Sequence, residues 1–329
     1  MKNKILLVTG GTGSFGHAVI HKLINSNLKE IRILSRDELK QDEMRRFYKN
    51  QKLKFIIGDI REYNSIKYAF KDVDYVFHAA ALKQVPTCEF YPLEAVNTNV
   101  NGASNVIDAC FENNIKKLVL LSTDKSVNPI NVMGMTKSIM ERLALSKIKM
   151  NISKTEIIIT RYGNVLGTRG SIIPNILTQI KTNSPVTITD PKMTRFLMNL
   201  NEALDLVMYA FNKGSNGDIF VQKSPSTYIK TLVDAVLSIK KMRNYPIKNI
   251  GTRHAEKLHE VLISNEEMYR AIETKNYFKI PLDDRTINYD IYTNKGLKTN
   301  KKLQEYNSEN TNILNLKQTV EVIKKANII

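Results

Sequence analysis

Thr9-Gly10-Gly11-Thr12-Gly13-Ser14-Phe15-Gly16 is the stretch that decides the fold. The largely apolar run Lys4-Ile5-Leu6-Leu7-Val8 leads into it, as a buried parallel strand does, and a helical pattern follows from Phe15 to Asn25. The glycines read as Gly10-x-x-Gly13-x-x-Gly16 or as Gly11-x-Gly13-x-x-Gly16. Glycine at these positions permits a tight turn, close approach of the backbone to a pyrophosphate and close helix packing, while free N–H groups at the helix end face the anion. The pattern alone is weak. Between a strand and a helix it predicts a dinucleotide site, with Gly10, Gly13, Ser14, Phe15 and Gly16 against the cofactor.

Outward from this loop the same alternation repeats. Strand signatures at 31–35, 53–58, 75–79, 117–122 and 156–161 alternate with helical patterns at 38–49, 65–70, 94–113 and 133–148. Such alternation predicts an α/β doubly wound parallel sheet of the Rossmann type. Residues 1–165 read as the dinucleotide-binding domain. From about residue 165 the alternation loosens, with helices near 172–181, 202–211 and 229–242 and strands near 186–189 and 218–222. Residues 166–282 therefore read as a smaller mixed α/β substrate domain over the sheet's carboxyl edge, from which later segments can return to the sheet. No linker separates the two, so a shared cleft is expected. Residues 283–329 read as a polar tail ending in a helix near 316–325.

Composition bounds the partners. The chain has 329 residues, 42% of them hydrophobic and 25% charged, which excludes disordered and collagen-like classes. Lys and Arg number 49 against 32 Asp and Glu, a net charge of +17. The basic residues are scattered among acids, and the densest runs, such as Arg45-Arg46 and Lys116-Lys117, are only pairs. A nucleic-acid partner is not expected, whereas attraction for anionic small substrates is. Cys88 and Cys110 make no disulfide framework, no apolar run reaches the ~18–20 residues of a membrane span, and the opening residues lack a signal-peptide pattern. A soluble cytoplasmic protein is expected, with no metal site.

The end of the second strand selects the cofactor. Ser35-Arg36-Asp37 with Lys40 one turn later offers a hydroxyl, a guanidinium and an ammonium, which suit a 2′-phosphate and so NADP. Asp37 can alternatively accept a ribose hydroxyl. Asp59-Ile60 fits an adenine contact, with a helix N-cap by Asp59 as the alternative. The small residues Ala79, Ala80 and Ala81 let the cofactor lie on the backbone, and Lys83 points towards the nicotinamide side. His78 reads as a packed strand histidine. Asn97 and Asn99 read as structural, with Asn99 nearer the cofactor. Tyr162 and Asn164, after the sixth strand, are expected beside the cofactor, and Asn164 also fits a sugar or phosphate.

The fifth strand ends in Ser122-Thr123-Asp124-Lys125, and a helix follows with Met133 and Lys137 one turn apart on one face. In short-chain dehydrogenase/reductases a Ser or Thr at that strand end pairs with a helical Tyr-x-x-x-Lys. Lys137 matches; Met133 stands at the tyrosine position and carries no proton.

On these runs the chain resembles the extended short-chain dehydrogenase/reductases, and within them the UDP-N-acetylglucosamine 4,6-dehydratases that invert C5. The likeness extends over Arg161-Tyr162-Gly163-Asn164-Val165, Met193-Thr194-Arg195-Phe196 and Gly251-Thr252-Arg253-His254-Ala255-Glu256-Lys257. The branch that starts L-fucosamine synthesis for capsule and O-antigen is similar in carrying methionine for tyrosine. The resemblance implies a tightly bound NADP regenerated each turnover, UDP-N-acetylglucosamine as substrate, Asp124 as acid for the departing C6 hydroxyl and Lys125 as base at C5. The substrate contacts expected are Lys83, Asn164, Arg195, Arg253 and Glu256, the two arginines as diphosphate clamps and Glu256 at the uridine ribose. It also implies a homo-oligomer, a hexamer, with the tail reaching a neighbouring subunit. A pseudaminic-acid-pathway dehydratase, a catalytically silent NADP-binding regulator and a UDP-sugar 4-epimerase are the alternatives.

Overall fold

The computed structural model describes residues 1–150, 152–168, 170–242, 244–283 and 304–329. The apolar runs become β1 (Ile5–Thr9), β2 (Glu30–Ser35), β3 (Leu53–Ile57), β4 (Tyr75–His78), β5 (Lys117–Leu121) and β6 (Glu156–Arg161). They pair in parallel in the order β6-β5-β4-β1-β2-β3. The doubly wound sheet is thus present, and its order reverses between β1 and β4, the point at which a crevice opens beyond the carboxyl ends.

Side-chain alternation explains the two covered faces. Ile5 and Leu7 join one core with Phe70, Val106, Ile107 and Met140, while Leu6 and Val8 join the other with Val19, Ile20, Leu204 and Val207. Helix Ser14–Leu23 buries Gly16, Val19, Ile20 and Leu23, a single helical stripe. The helical pattern expected over 94–113 is divided into helix Pro92–Val96, a π-helical turn Asn97–Asn101 and helix Gly102–Glu112.

After β6 the chain leaves the sheet through β7 (Asn164–Val165), β8 (Val186–Ile188) and β9 (Thr194–Met198) and returns as β10 (Ile219–Gln222), parallel to β6. The strands β11 (Ser226–Tyr228), β12 (Ile247–Asn249) and β13 (Val261–Ile263) lie outside the sheet. Then β14 (Ile272–Glu273) and β15 (Tyr277–Ile280) add antiparallel at the β10 edge, giving nine strands. Segments of 166–282 thus divide between the large sheet, through β10, β14 and β15, and the second lobe. Ile219, Phe220 and Val221 are buried, so this run takes a central strand position as its apolar character demands.

The second lobe has its own core. Helices Ile172–Lys181, Ile229–Ile239 and Leu316–Lys325 enclose Ile176, Val186, Met193, Leu232, Val236 and Ile323. β16 (Tyr306–Asn307) pairs antiparallel with β13, whose Leu262 and Ile263 belong to a core of the large sheet, so the end of the chain is tied to both lobes. The stretch 284–303 of the expected tail lies outside the described residues. Among the described residues no helix is long and apolar enough to cross a membrane.

Candidate active site

The carboxyl ends of β1, β4, β5 and β6 open into a cavity of about 1180 Å³ whose far wall is the second lobe. That exceeds the ~300–1,000 Å³ usual for one small-molecule site and leaves space for a dinucleotide beside a second ligand.

One half of the cavity is built by the glycine loop. Gly10 takes φ +64°, and a Cβ there would lie 2.7 Å from Ala80 Cα, so the loop rests on the Ala79-Ala80 backbone. A Cβ on Gly16 would fall 1.9 Å from Gly11 O, so Gly16 packs the helix against the loop and does not line the cavity. Gly13 is the N-cap of helix Ser14–Leu23 and supplies no side-chain hydrogen bond, which leaves first-turn N–H groups without a capping side chain. Gly13, Ser14 and Phe15 face the cavity. Uncapped N–H groups at a positive dipole end suit a phosphate, so the residues present fit a bound dinucleotide.

At the rim, Ser35 Oγ shares a 2.9 Å hydrogen bond with Thr12 Oγ1. Asp37 caps helix Glu38–Tyr48 by accepting from Lys40 N at 3.0 Å, and its other oxygen pairs with the Lys40 ammonium. Asp37 and Lys40 are thus committed to each other. Arg36 is 56% exposed with Asp59 Oδ2 3.6 Å away, which leaves it the cation best able to meet a 2′-phosphate. Asp59 and Ile60 do not line the cavity. The Asp59 carboxylate accepts from the Arg61 guanidinium at 2.6–3.0 Å, and Ile60 is buried in the core against Gly102. Asp59 is not a helix cap either, since Glu62 holds that position. Asn99 also stands back from the cavity. It brackets Leu82 by accepting from its N–H at 2.8 Å and donating to its carbonyl at 2.9 Å, which fixes the loop that carries Lys83. His78 is buried, bonded to Thr9 Oγ1 at 2.8 Å and pushed down to about 3 by burial and by Lys137.

The catalytic-type groups come from the turn after β5 and the helix Val132–Lys149. The turn is braced from below. Glu141 accepts from Ser122 Oγ at 2.5 Å, Ser126 Oγ at 2.9 Å and the Arg161 guanidinium, which also binds Glu267 at 2.7 and 2.8 Å. On top, Thr123 Oγ1 donates to Asp124 Oδ1 at 2.8 Å and Lys125 Nζ donates to the same oxygen at 3.0 Å. Burial raises the Asp124 carboxyl and the Glu260 charge adds to this, against the pull of Lys125. Burial lowers the Lys125 ammonium, but Asp124 and Glu260 outweigh it and hold it above the ordinary lysine range. Met133 and Lys137 both line the cavity, one turn apart. Lys137 Nζ donates to Met140 Sδ at 3.2 Å, and burial pushes it down to about 8.

From the second lobe come Asn164, Arg195, Arg253 and Glu256. Asn164 Oδ1 is buried without a hydrogen-bond partner. Arg195 is not a free clamp. Its guanidinium donates to the carbonyls of Thr194 and Leu258 at 2.8 and 3.1 Å and to Glu256 Oε1 at 3.2 Å. Arg253 is exposed at the cavity wall, so of the two arginines it is the one placed for a diphosphate. Tyr162 lines the cavity, its carbonyl accepting from Asp124 N at 3.1 Å.

Sequence reasoning missed Glu260, which is 2% exposed with Oε1 3.1 Å from Lys125 Nζ. It also missed Asn131, which caps helix Val132–Lys149 and donates to the Ala255 carbonyl at 3.1 Å. Ala255 takes φ +57°, a strained conformation beside Glu256. The only sequence signal for Glu260 was a charged run ending at a buried strand.

The description "Polysaccharide biosynthesis protein" matches residues 6–282, and "Polysaccharide biosynthesis protein C-terminal" matches 283–329. A protein named UDP-glucose 4-epimerase from Rickettsia bellii (strain OSU 85-389) is 54% identical over 326 residues, covering 98% of this chain and 95% of that one. Its namesake from Rickettsia prowazekii (strain Madrid E) is 53% identical over the same share of each chain. Among solved structures, Pen from Bacillus thuringiensis is 34% identical with a TM-score of 0.90, covering 100% of this chain and 99% of that one. DesIV, a dTDP-glucose 4,6-dehydratase from Streptomyces venezuelae, shares the fold at 18% identity and a TM-score of 0.71, covering 77% and 86%. The chain belongs to the polysaccharide biosynthesis protein family, built on a Rossmann-type α/β fold.

Proposed function

We propose that the protein is a cytoplasmic, NADP-dependent UDP-N-acetylglucosamine 4,6-dehydratase that inverts C5, serving surface-polysaccharide synthesis. The family and fold support an enzyme that modifies a nucleotide sugar. One observation favours this reaction within that class: an acid and an amine, Asp124 and Lys125, joined at 3.0 Å in the cavity beside Met133, where a proton-carrying tyrosine would otherwise sit.

The chemistry that NADP supplies when bound is reversible hydride exchange with the sugar. The chain's own groups do the rest. Gly13, Ser14 and Phe15 receive the pyrophosphate and Arg36 the 2′-phosphate, while Arg253, Asn164 and Glu256 hold the UDP-sugar. Lys137, held near 8 by burial, accepts the C4 hydroxyl proton, with Thr123 Oγ1 hydrogen-bonded to that hydroxyl. Once C4 is a ketone, C5–H is acidic and falls to Lys125. Asp124, raised by burial, gives its proton to the departing C6 hydroxyl. Reprotonation of C5 from the opposite face leaves the L-configured 4-keto sugar. A homo-oligomer belongs to this proposal, supported by the exposed apolar side chains Leu93, Met135 and Ile139.

A second reading, 4-epimerisation, draws on the name of the Rickettsia relatives. It has no use for a buried acid–amine pair. Asp124→Asn and Lys125→Ala each separate the two readings. Each is expected to abolish water loss, by at least ~10²-fold, while leaving NADP bound, measured by NMR of the sugar and by cofactor titration. Full dehydration by either variant removes that residue from the mechanism.

A further inference from the structure

An amine can take a proton from carbon only if it has a lone pair, and the surroundings of Lys125 deny it one. Its Nζ lies between two carboxylates, 3.0 Å from Asp124 Oδ1 and 3.1 Å from Glu260 Oε1, with 1% and 3% of those acid side chains exposed. We propose that Glu260 is the proton acceptor behind Lys125, so that as the amine takes the C5 proton its own proton passes to Glu260 Oε1. This rests on the dehydratase reading above and adds a residue to it.

The step balances. The C5–H bond breaks and a new N–H bond forms on Lys125, while one of the existing N–H bonds of Lys125 breaks and an O–H bond forms on Glu260. The electron pair left at C5 passes into the C4 ketone as an enolate and then expels the C6 oxygen, which leaves as water with the Asp124 proton. Lys125 begins and ends as an ammonium. Asp124 has lost a proton and Glu260 has gained one.

Three features of the site suit Glu260 to this part. Asp124 has to donate, which leaves Glu260 as the other carboxylate within ion-pair distance of Lys125 among the described residues. Its Oε2 is buried without a hydrogen-bond partner, so the carboxylate is not saturated as a purely structural ion pair would be. Its backbone is pinned at both polar groups. Glu260 N donates to Ser308 Oγ at 2.9 Å, Ser308 N donates to the Glu260 carbonyl at 2.8 Å, and Ser308 Oγ meets Thr194 Oγ1 at 2.6 Å. The C-terminal segment thus sets the position of a group that faces the reacting centre. The charged groups facing Glu260 are Lys125 and Asp124 from the turn after β5, Arg195 Nε at 3.9 Å from β9, and Lys257 from its own loop. Burial pushes the Glu260 carboxyl up, but these cations outweigh it and keep Glu260 ionised, so it has the lone pairs an acceptor needs and takes the proton only as the new N–H bond on Lys125 forms.

Acting through Lys125, Glu260 is a positioning and proton-holding residue, and its test must separate two steps. UDP-N-acetylglucosamine is given to NADP-loaded wild type and Glu260→Gln in D2O. C4 oxidation is followed by reduced-cofactor absorbance and C5 exchange by NMR. For the variant, C5 exchange is expected to fall ~100-fold while C4 oxidation stays within ~5-fold. Its residual exchange should climb with pH, because solvent must now remove the Lys125 proton, and Glu260→Asp should recover part of the wild-type rate. Exchange within ~5-fold of wild type, or an equal loss of both steps in a sample with unchanged thermal unfolding, overturns the proposal. Where Glu260→Gln does not fold, Glu260→Asp carries the test, and equal slowing of both steps overturns it. Wild-type enzyme that forms no dehydrated product overturns the functional reading itself, and this inference with it.

Discussion

Two buried ion clusters lie on either side of the turn after β5, and they differ in how completely their atoms are satisfied. Below it, Arg161 spends its guanidinium on both oxygens of Glu141, both of Glu267 and the Leu262 carbonyl, all within 3.2 Å. Above it, Asp124, Lys125 and Glu260 form a chain in which each carboxylate keeps one buried oxygen without a partner. A buried charge that is fully paired braces a structure, whereas one left partly paired invites a ligand or a proton. Residues chosen only for being charged and buried would not tell the two apart.

The comparison breaks most readily at Arg161. Arg161→Met leaves Glu141 and Glu267 buried and unpaired, and should cost ~3–5 kcal/mol of stability in urea unfolding. A loss below ~1 kcal/mol would mean the lower cluster is not a brace. Next is Arg36, an exposed cation with a long ion pair. Arg36→Ala should weaken NADP relative to NAD by ~1.5–3 kcal/mol in parallel titrations, and equal losses for both cofactors would mean that Arg36 does not read the 2′-phosphate. In the upper cluster the expectation for stability is the reverse of that for Arg161. Asp124→Asn replaces a buried, incompletely satisfied acid, which burial favours in its neutral form, by a neutral amide and should change the unfolding free energy by less than ~1 kcal/mol even as dehydration is lost. Smallest is Met133→Leu, which keeps side-chain volume and should leave turnover within ~10-fold, since the thioether carries no proton in the scheme. A greater loss in a stable variant would give the methionine a chemical part.

The two halves of the cavity also differed in how far the sequence disclosed them. Gly10 to Gly16, Arg36 and the Asp124-Lys125 pair sit within a few residues of a strand end, where local spacing fixes geometry. The doubly wound sheet was legible for the same reason. Glu260 lies 135 positions along the chain from Lys125, and Ser308, which holds it, lies a further 48 positions on, so no spacing rule connects them. Arg195 looked like a clamp because a guanidinium suits phosphate, but neighbouring carbonyls and Glu256 occupy it first. Asp59 looked like an adenine contact until Arg61, two residues on, claimed its carboxylate. The strands β7, β11 and β12 are two or three residues each, too short to show a period.

The dehydratase reading meets its most direct test in one tube. Purified, NADP-loaded protein is incubated with UDP-N-acetylglucosamine in D2O, and the product is followed by proton and carbon NMR. The expected product is a 6-deoxy-4-keto sugar of L configuration carrying deuterium at C5. A C4-epimerised UDP-sugar with its C5 proton retained would contradict it in favour of epimerisation, and a well-folded, loaded protein that yields no product would point to a silent regulator.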